Sequence, residues 1–265
     1  MANQPMYRLI ADDLRARIAG KGYKPGSKLP TEGELSEQYR ASRNTVREAI
    51  RRLTDEGLLE SRPGQGTFVA RQVDPFITLL TADPKSGLGG GVGAAYLSQV
   101  SAAHRQPANS VPRVEVLPAP EAVARLLQIP PGSQVISRSQ DRYIDDIPWS
   151  RQTSFYPMDF IIKGATRLLM AQDIEEGSVR YLGNEIGVWQ TGYRDWISGR
   201  LAAEDEQGFF GIGHNAPVLV DSRVGFDQNN VPMRLTVTTF SMDRNQLIVD
   251  VGPDVPPLID SSSQA

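Results

Sequence analysis

Residues 28–58 read KLPTEGELSEQYRASRNTVREAIRRLTDEGL, and this stretch decides the fold of the N-terminal part of the chain. Thr31 and Glu34 have the spacing of a capping box, so a helix is predicted to begin there. Ser42 is a good N-cap for a second helix, in which apolar residues recur on one face from Val46 onwards. Two helices separated by so short a turn predict a helix-turn-helix.

The flanking sequence extends this prediction on both sides. Apolar residues recur at helical spacing between Tyr7 and Ile18, which predicts an amphipathic first helix. Residues 58–62 and 67–69 read as two short strands, and a Pro-Gly-Gln-Gly turn at 63–66 joins them. The order of helix, capped helix, arginine-rich helix and glycine-bearing hairpin predicts a winged helix-turn-helix.

The charges favour DNA as the partner of this domain. Residues 1–72 hold 13 Lys and Arg against nine Asp and Glu, whereas the remaining residues hold 15 against 22. A basic domain joined to an acidic one is typical of a DNA-binding protein. The alternative is that the arginines form a solvated helix face and the glycines only a hairpin turn.

The chemistry of the second helix indicates how DNA would be read. In a helix-turn-helix, the N-terminal residues of this helix meet base edges in the major groove. Arg pairs with guanine and Asn with adenine, while hydroxyl groups and the helix N-terminus suit phosphates. The candidate DNA-binding residues are Thr31, Glu32, Ser42, Arg43, Asn44, Thr45, Arg47, Arg51, Gly64, Gln65, Gly66 and Thr67.

Composition excludes several other classes of protein. There is no cysteine, and the two histidines are His104 and His214, so disulfides and cysteine-rich or multi-histidine metal sites are not expected. No apolar run approaches the roughly 20 residues of a membrane span, and the first residues lack a signal-peptide pattern. We therefore expect a cytoplasmic protein that has no catalytic site, metal or cofactor and does not associate with a membrane.

The domain organisation follows from changes in composition. The predicted segments are a DNA-binding domain at 1–72, a glycine-rich linker at 73–94, a mixed domain at 95–252 and a disordered tail at 253–265. The mixed domain has hairpins predicted at 134–155 and 218–240, and helices predicted at 121–128, 161–169, 178–186 and 201–209. Trp149, Trp189 and Trp196 are expected in the core.

Residues 7–70 closely resemble the winged-helix domain of the GntR family of bacterial regulators. The matching stretches are KLPTEGEL at 28–35, SRNTVREAI at 42–50, LTDEGL at 53–58 and GQGTFV at 64–69. The resemblance implies that Arg43, Asn44, Thr45 and Arg47 contact DNA from the recognition helix, and that residues 64–67 do so from the wing.

Gly33 departs from the pattern of this family. Family members often carry a base-reading arginine at that position. The resemblance therefore implies that one direct contact is missing, and that the operator preference differs from the family's usual GT…AC type.

Residues 95–250 resemble the effector-binding UTRA domain of the HutC-type branch of the same family. The resemblance covers the 121–132 helix and turn, the strand ending at Arg142, the helix beginning at Ser178, and the late hairpin. It implies an α+β protein in which a six-stranded antiparallel sheet with flanking helices, similar to chorismate lyase, follows the winged helix. Such a domain binds a small molecule and mediates dimerisation.

The same resemblance locates an effector pocket. Its residues are Gln140, Arg142, Gln152, Ser178, Arg180, Arg234 and Phe240. Where sugar-phosphate-binding relatives have two carboxylates, this chain has Gln152 and Arg234, whereas Arg142, Ser178 and a helix N-terminus suit an anion. The implied effector is an anion with few hydroxyl groups. The alternative is that Arg142 and Arg234 pair with surface acids such as Asp145.

Together these features predict a ligand-responsive repressor that binds a palindromic DNA operator as a homodimer and responds to a small-molecule effector. Two alternatives remain at this point. One is an effector-independent dimeric repressor with a degenerate pocket. The other is an enzyme, although no GxSxG motif or paired-carboxylate constellation is visible in the sequence.

Overall fold

The computed structural model describes residues 5–20, 22–62, 64–70, 75–80 and 93–251. The chain divides into two compact units. The first unit, here called the head, runs to Pro75 and also includes Gly199–Leu219 and Ser241–Arg244. The second unit, here called the body, contains the rest of the chain.

The head begins as a winged helix-turn-helix. Its elements are α1 (Met6–Ala19), α2 (Glu32–Tyr39), α3 (Arg43–Asp55), β1 (Leu59–Arg62) and β2 (Gly66–Val69). Leu14, Leu35 and Leu53 are fully buried in one apolar cluster, to which all three helices contribute. The strands β1 and β2 pair antiparallel, with Leu59 opposite Val69. The predicted winged-helix fold is confirmed.

Local side-chain hydrogen bonds set the helix boundaries in the head. Thr31 accepts a hydrogen bond from the backbone N–H of Glu34 (3.3 Å), and the Glu34 carboxylate accepts one from the backbone N–H of Thr31 (2.7 Å). Arg40 adopts a left-handed conformation and ends α2, and Ser42 then caps α3 by accepting from the N–H of Thr45. The predicted capping box and N-cap are therefore present.

Beyond the wing the chain alternates strands and helices. The elements are β3 (Phe76–Leu79), α4 (Gly93–Ala102), β4 (Pro107–Asn109), β5 (Arg113–Pro118), α5 (Glu121–Leu127), β6 (Gln134–Ile144), β7 (Ile147–Pro157), α6 (Asp159–Ile162), a 3-10 turn (Thr166–Leu169), α7 (Ser178–Ile186), β8 (Gln190–Leu201), α8 (Glu204–Phe210), β9 (Pro217–Asp227), β10 (Pro232–Ser241) and β11 (Asn245–Ile248). Within these described residues, no helix is long and apolar enough to cross a membrane.

Seven of these strands form one sheet, in the order β4–β6–β7–β10–β9–β8 with β5 also paired to β6. The strands β4 and β5 pair antiparallel with opposite halves of β6: Asn109 lies opposite Arg142, and Arg113 lies opposite Ser139. Two short strands thus share one edge of β6. The sheet accordingly has seven strands where the family resemblance implies six.

A strand lies within the range 73–94 that composition predicts as linker. β3 pairs in parallel with β11, so that Phe76 lies opposite Asn245. The ring of Phe76 packs edge-on against the ring of Trp149, with the two ring centres 5.8 Å apart. The linker prediction is therefore wrong for residues 76–79, because the partner strand is about 170 residues away in sequence. Residues 73–74 and 81–92 of the predicted linker, and the tail at 253–265, lie outside the described residues, whereas residues 93–94 belong to α4.

Two predicted helices differ from the structure at their ends. The helix predicted at 161–169 is split into α6 and the 3-10 turn, because Gly164 has φ +115°, a conformation that interrupts a right-handed helix. The helix predicted at 201–209 begins later, at Glu204. The carboxylate of Glu206 accepts the backbone N–H of Ala203 and so fixes that start.

The tryptophans are only partly where they were expected. Trp149 is fully buried, but Trp189 and Trp196 are 49% and 43% exposed. The core prediction is thus correct for Trp149 and wrong for the other two. Trp196 lies on β8, the last strand in the sheet order, where fewer neighbouring side chains can cover it.

A buried ionic cluster lies in the body around Arg223. The Arg223 guanidinium donates to both carboxylate oxygens of Asp195 at 2.7 Å and lies 4.0 Å from the centre of the Tyr193 ring. The Tyr193 hydroxyl donates to the carbonyl of Leu80. Beside them, burial and then the charge of Asp195 raise the pKa of Asp221 to about 7.

The raised pKa of Asp221 makes stability depend on pH. The folded state holds the proton more tightly than the unfolded state, where the ordinary value of 3.8 applies. The stabilisation is therefore complete below about pH 4 and is lost as the pH rises through about 7. We expect the stability of Asp221→Asn relative to the wild type to rise by about 2–4 kcal/mol between pH 5 and pH 8.

Urea unfolding of both proteins at pH 5 and pH 8 measures this difference. Asp146→Asn, a substitution at an exposed turn residue, is the control and is expected to leave the pH dependence unchanged. A stability difference between Asp221→Asn and the wild type that is the same at both pH values would contradict the prediction.

Candidate nucleic-acid interface and ligand pocket

The first turns of α3 expose polar side chains above a buried apolar face. Arg43, Asn44 and Arg47 are exposed, whereas Val46 and Ala49 are fully buried. No acidic residue lies in the first turn of this helix, so its N-terminal N–H groups and positive dipole end remain suited to phosphate. The two arginines and the asparagine that were predicted to contact DNA therefore lie together on the exposed N-terminal end of α3.

Glu32 connects the start of α2 to this helix. The Arg47 Nε and Nη2 donate to the two carboxylate oxygens of Glu32 at 3.0 and 2.7 Å. The hydrogen bonds from Arg47 are the main cause of a lowered pKa of Glu32, and the same pair raises the pKa of Arg47. On the next turn, the Arg51 Nη2 donates to Glu48 at 2.8 Å.

Gly33 provides space for another arginine of the recognition helix. A Cβ atom placed on Gly33 would lie 3.8 Å from the Nη2 of Arg43, so the Arg43 guanidinium lies beside this glycine. The position where family members often carry an arginine is thus adjacent to the Arg43 side chain.

The wing has the backbone conformation that its glycines predict. Gly64 and Gly66 have φ values of +72° and +116°, which favour glycine, and Gln65 is exposed between them. A Cβ on Gly66 would meet the Cε of Lys28 at 2.8 Å, and the N–H of Leu29 donates to the carbonyl of Thr67 at 2.8 Å. The 28–32 segment therefore contacts both the wing and α3.

Three of the candidate hydroxyl groups take part in helix capping. The Thr31 Oγ1 donates to the Glu34 carboxylate at 2.8 Å, and the hydroxyls of Ser42 and Thr45 share a hydrogen bond of the same length. Their first role is to fix where α2 and α3 begin. Their contact with phosphate remains a prediction.

A cavity of about 290 Å³ lies in the body, between strands β6, β7 and β10 and the start of α7. Five of the seven predicted effector residues line it, namely Gln140, Arg142, Gln152, Ser178 and Arg234. Arg180 and Phe240 do not. Arg180 is two residues, or about 200°, around α7 from Ser178, and Phe240 is six residues, or about 20 Å, along β10 from Arg234.

Several lining residues were not predicted from the sequence. Arg138 precedes Gln140 and Arg142 on the same face of β6, and Ser154 and Tyr156 follow Gln152 on β7. The two-residue period of a strand would have identified all three once one lining residue was fixed on each strand. No local pattern would have found Asp173 and Glu175, because they lie in the loop that leads into α7.

Two arginines are buried in the wall of this cavity. Arg142 and Arg234 are only 2% and 4% exposed. Burial lowers the pKa of Arg142 to about 10 and also lowers the pKa of Arg234. Arg142 donates to the amide oxygen of Gln152, whereas Asp145 is hydrogen-bonded to Arg105. Asp145 is therefore the partner of Arg105, and the alternative in which it pairs with Arg142 or Arg234 is wrong.

The hydrogen bonds of Arg234 leave its charge uncompensated. Its Nη2 donates to the amide oxygen of Gln190 at 3.2 Å, and Tyr156 is a second hydrogen-bonding neighbour. Both of these side chains are neutral as amide and phenol. The buried Nε of Arg234 makes no hydrogen bond within the described ranges. A buried guanidinium in this state favours an anion beside it.

Other polar contacts hold the wall of the cavity in place. Arg138 donates to the carbonyls of Leu168, Met170 and Gln172 at 2.7–2.8 Å and so holds the loop before α7. The Tyr156 hydroxyl donates to the Oγ of Ser178 at 2.7 Å. Within the described residues no cluster of His, Cys, Asp and Glu could hold a metal ion.

Comparison with protein families identifies both parts of the chain. The model for bacterial regulatory proteins of the gntR family matches residues 6–69, and the UTRA domain model matches residues 102–246. The chain belongs to the GntR family. This membership confirms the predicted HutC-type arrangement of a winged-helix domain followed by a UTRA domain, and it excludes the enzyme alternative, since the family consists of regulators.

Individual GntR-family relatives cover different shares of the chain. This chain is 33% identical over 159 residues to the mannosyl-D-glycerate transport/metabolism system repressor MngR of Escherichia coli (strain K12). The aligned region covers 60% of this chain and 61% of MngR. This chain is also 26% identical over 245 residues to the HTH-type transcriptional repressor NagR of Bacillus subtilis (strain 168). Here the aligned region covers 91% of this chain and 92% of NagR. The alignment with MngR thus spans about three fifths of that protein.

A solved structure supports the fold of this GntR-family protein. The crystal structure of PhnF from Mycobacterium smegmatis superimposes with a TM-score of 0.55 at 22% identity and covers 92% of this chain and 100% of PhnF. At this level of identity the similarity concerns the fold alone.

Proposed function

We propose that this protein is a cytoplasmic repressor that binds a palindromic DNA operator as a homodimer and releases it in response to a small anionic effector. The observation that supports DNA binding most strongly is the exposed Arg43, Asn44 and Arg47 at the leading end of α3, over a buried apolar face. In a winged helix this end enters the major groove. The wing at Gly64–Thr67 would contact the backbone or the minor groove.

A gel shift on the promoter of the protein's own gene tests DNA binding. We expect specific binding that weakens steeply between 50 and 200 mM salt, because Lys and Arg contacts to phosphates release counterions. Repeating the assay with small carboxylates and phosphates tests effector release. Release requires that the effector bind the DNA-competent and DNA-incompetent conformations with different affinities.

The buried Arg234 is the observation that favours an anionic effector. A cavity of about 290 Å³ is at the lower end of the range for small-molecule sites, so the effector is proposed to be a small metabolite. The effector-independent alternative makes a different prediction: no anion would raise the melting temperature of the protein or release DNA.

The edge strand β8 is the proposed contact with the second subunit. This strand has 12 residues and, within the described ranges, is last in the sheet order beside β9. Its two faces carry the exposed apolar residues Trp196 and Ile197. A long edge strand with exposed apolar residues needs a covering partner. A second copy of the same chain provides one with closed symmetry.

We expect Trp196→Glu to convert a dimer into a monomer, because it places a charge in the proposed apolar contact. Multi-angle light scattering at micromolar concentration measures the mass. Val116→Glu is the matched control, since Val116 is exposed to a similar extent, 48%, but lies on β5 at the opposite edge. A dimeric Trp196→Glu protein, or a monomeric Val116→Glu protein, would contradict the proposed contact.

A further inference from the structure

The pair formed by Glu32 and Arg47 uses only one edge of the guanidinium. A guanidinium is planar and has five N–H donors. The Nε and Nη2 of Arg47 both donate to Glu32, at 3.0 and 2.7 Å, and this occupies the side edge of the group. The donors of the outer edge, on Nη1 and the far side of Nη2, face away from the carboxylate because the group is planar.

The outer edge of the Arg47 guanidinium has the geometry that guanine requires. Guanine offers O6 and N7 as adjacent acceptors in the major groove, and arginine reads them with two parallel N–H groups. We propose that Glu32 is a positioning residue, which fixes the guanidinium of Arg47 so that its outer edge reads one guanine in each half-site. This inference rests on the proposed contact between the leading end of α3 and DNA.

The positions of Glu32 and Arg47 on two different helices support a positioning role for Glu32. Glu32 is the first residue of α2 and lies 15 positions before Arg47, so the contact ties the recognition helix to the preceding helix. The positive end of the α2 dipole favours a carboxylate at this position, and the nearby charge of Arg43 further lowers the pKa of Glu32. An arginine side chain held in this way has less rotamer freedom to lose on binding.

The negative charge of Glu32 is expected to have opposite effects on non-specific DNA affinity and on base discrimination. A carboxylate close to the DNA backbone repels phosphates, so Glu32 should weaken binding to any duplex. Glu32 would then favour binding only through the guanine that Arg47 reads. Removing the charge should therefore raise non-specific affinity and lower discrimination at the same time, whereas a pair with no positioning role would change only the first.

A second pair on the same helix provides the control. Glu48 and Arg51 are joined by one hydrogen bond of 2.8 Å between residues three apart on α3. The Arg51 side chain is 61% exposed and that of Arg47 is 62% exposed. Glu48→Gln thus removes the same charge from an equally exposed pair on the recognition helix, but breaks no bidentate contact between two helices.

The experiment uses the full chain and a duplex selected by the wild-type protein from a pool of random sequences. Dissociation constants are measured for this duplex, for each single base-pair variant, and for an unrelated duplex. For Glu32→Gln we expect the unrelated duplex to bind about 2–5-fold more tightly and discrimination at one guanine per half-site to fall about tenfold. Glu48→Gln is expected to show only the first change.

Three further variants make the outcome decisive. Glu32→Asp keeps the charge but is too short for the bidentate contact, so discrimination should fall with no gain in non-specific affinity. Arg47→Ala should lose discrimination at the same guanine, and adding Glu32→Gln to it should cause no further loss there. Thermal melting checks that each variant is folded.

The results separate failure of this inference from failure of the proposed function. If Glu32→Gln and Glu32→Asp both keep full discrimination while Arg47→Ala loses it, the positioning role of Glu32 is wrong and DNA reading by α3 stands. If Arg47→Ala keeps both its affinity and its discrimination, the assignment of the recognition helix is wrong as well.

Discussion

Replacing Arg43 and Arg47 together with alanine is expected to weaken operator binding about 100-fold or more, which abolishes a gel shift at nanomolar protein. Each arginine that reads a base is worth about 1–3 kcal/mol of binding free energy, and each also loses attraction to phosphates. Both side chains are exposed on α3, so their loss should leave the core of the head intact. Unchanged melting temperature and unchanged mass would show this.

Arg52→Ala is the matched control for this double substitution. Arg52 belongs to the same helix but lies in its last turn, where its Nε donates to Glu56 at 3.0 Å. We expect its effect on operator affinity to stay within about threefold, as for one long-range charge. Should the double variant bind as tightly as Arg52→Ala, the leading end of α3 would not be the DNA-reading surface.

Replacing Arg234 with methionine is expected to remove the response to an anionic effector and to stabilise the ligand-free protein. The guanidinium of Arg234 is buried beside neutral side chains. An apolar residue of similar volume in place of a buried charge is neutral or stabilising by about 1–4 kcal/mol. The same change removes the proposed partner of the anion, so affinity should fall about 100-fold.

Thermal melting of wild type and variant with a panel of small carboxylates and phosphates measures both effects. An anion at 100 times its dissociation constant should stabilise the wild type by about 2.7 kcal/mol and leave Arg234→Met unchanged. Arg180→Met is the control, because Arg180 is exposed and does not line the cavity. An Arg234→Met protein that is stabilised by the same anion to the same extent would contradict the proposed site.

The winged helix-turn-helix could be predicted from sequence because its determinants are local. The capping box at Thr31–Glu34 and the cap at Ser42 act over three residues, and the apolar spacing of α3 repeats every three or four. The candidate DNA-binding arginines are also close in sequence, so they lie on one helix. The Glu32–Arg47 pair was not foreseen, since it depends on how two helices cross rather than on spacing along one of them.

The body could be predicted only in part because its contacts are distant in sequence. The bounds of β6 and α7 were predicted correctly from alternation and from the start at Ser178. β3 was missed, since its partner β11 lies about 170 residues further along the chain. Asp173 reaches the cavity wall through a loop that Arg138 holds by backbone carbonyls, and no sequence pattern encodes such a contact.

The most direct test of the account is to map where α3 lies on the operator. The chain has no cysteine, so Asn44→Cys provides a single attachment point for a DNA-cleaving iron chelate. The account predicts cleavage centred on one major groove in each half-site, about one helical turn apart, and no cleavage from Arg125→Cys on the exposed face of α5. An Asn44→Cys conjugate that binds the operator but cuts it no more than the Arg125→Cys conjugate would contradict the account.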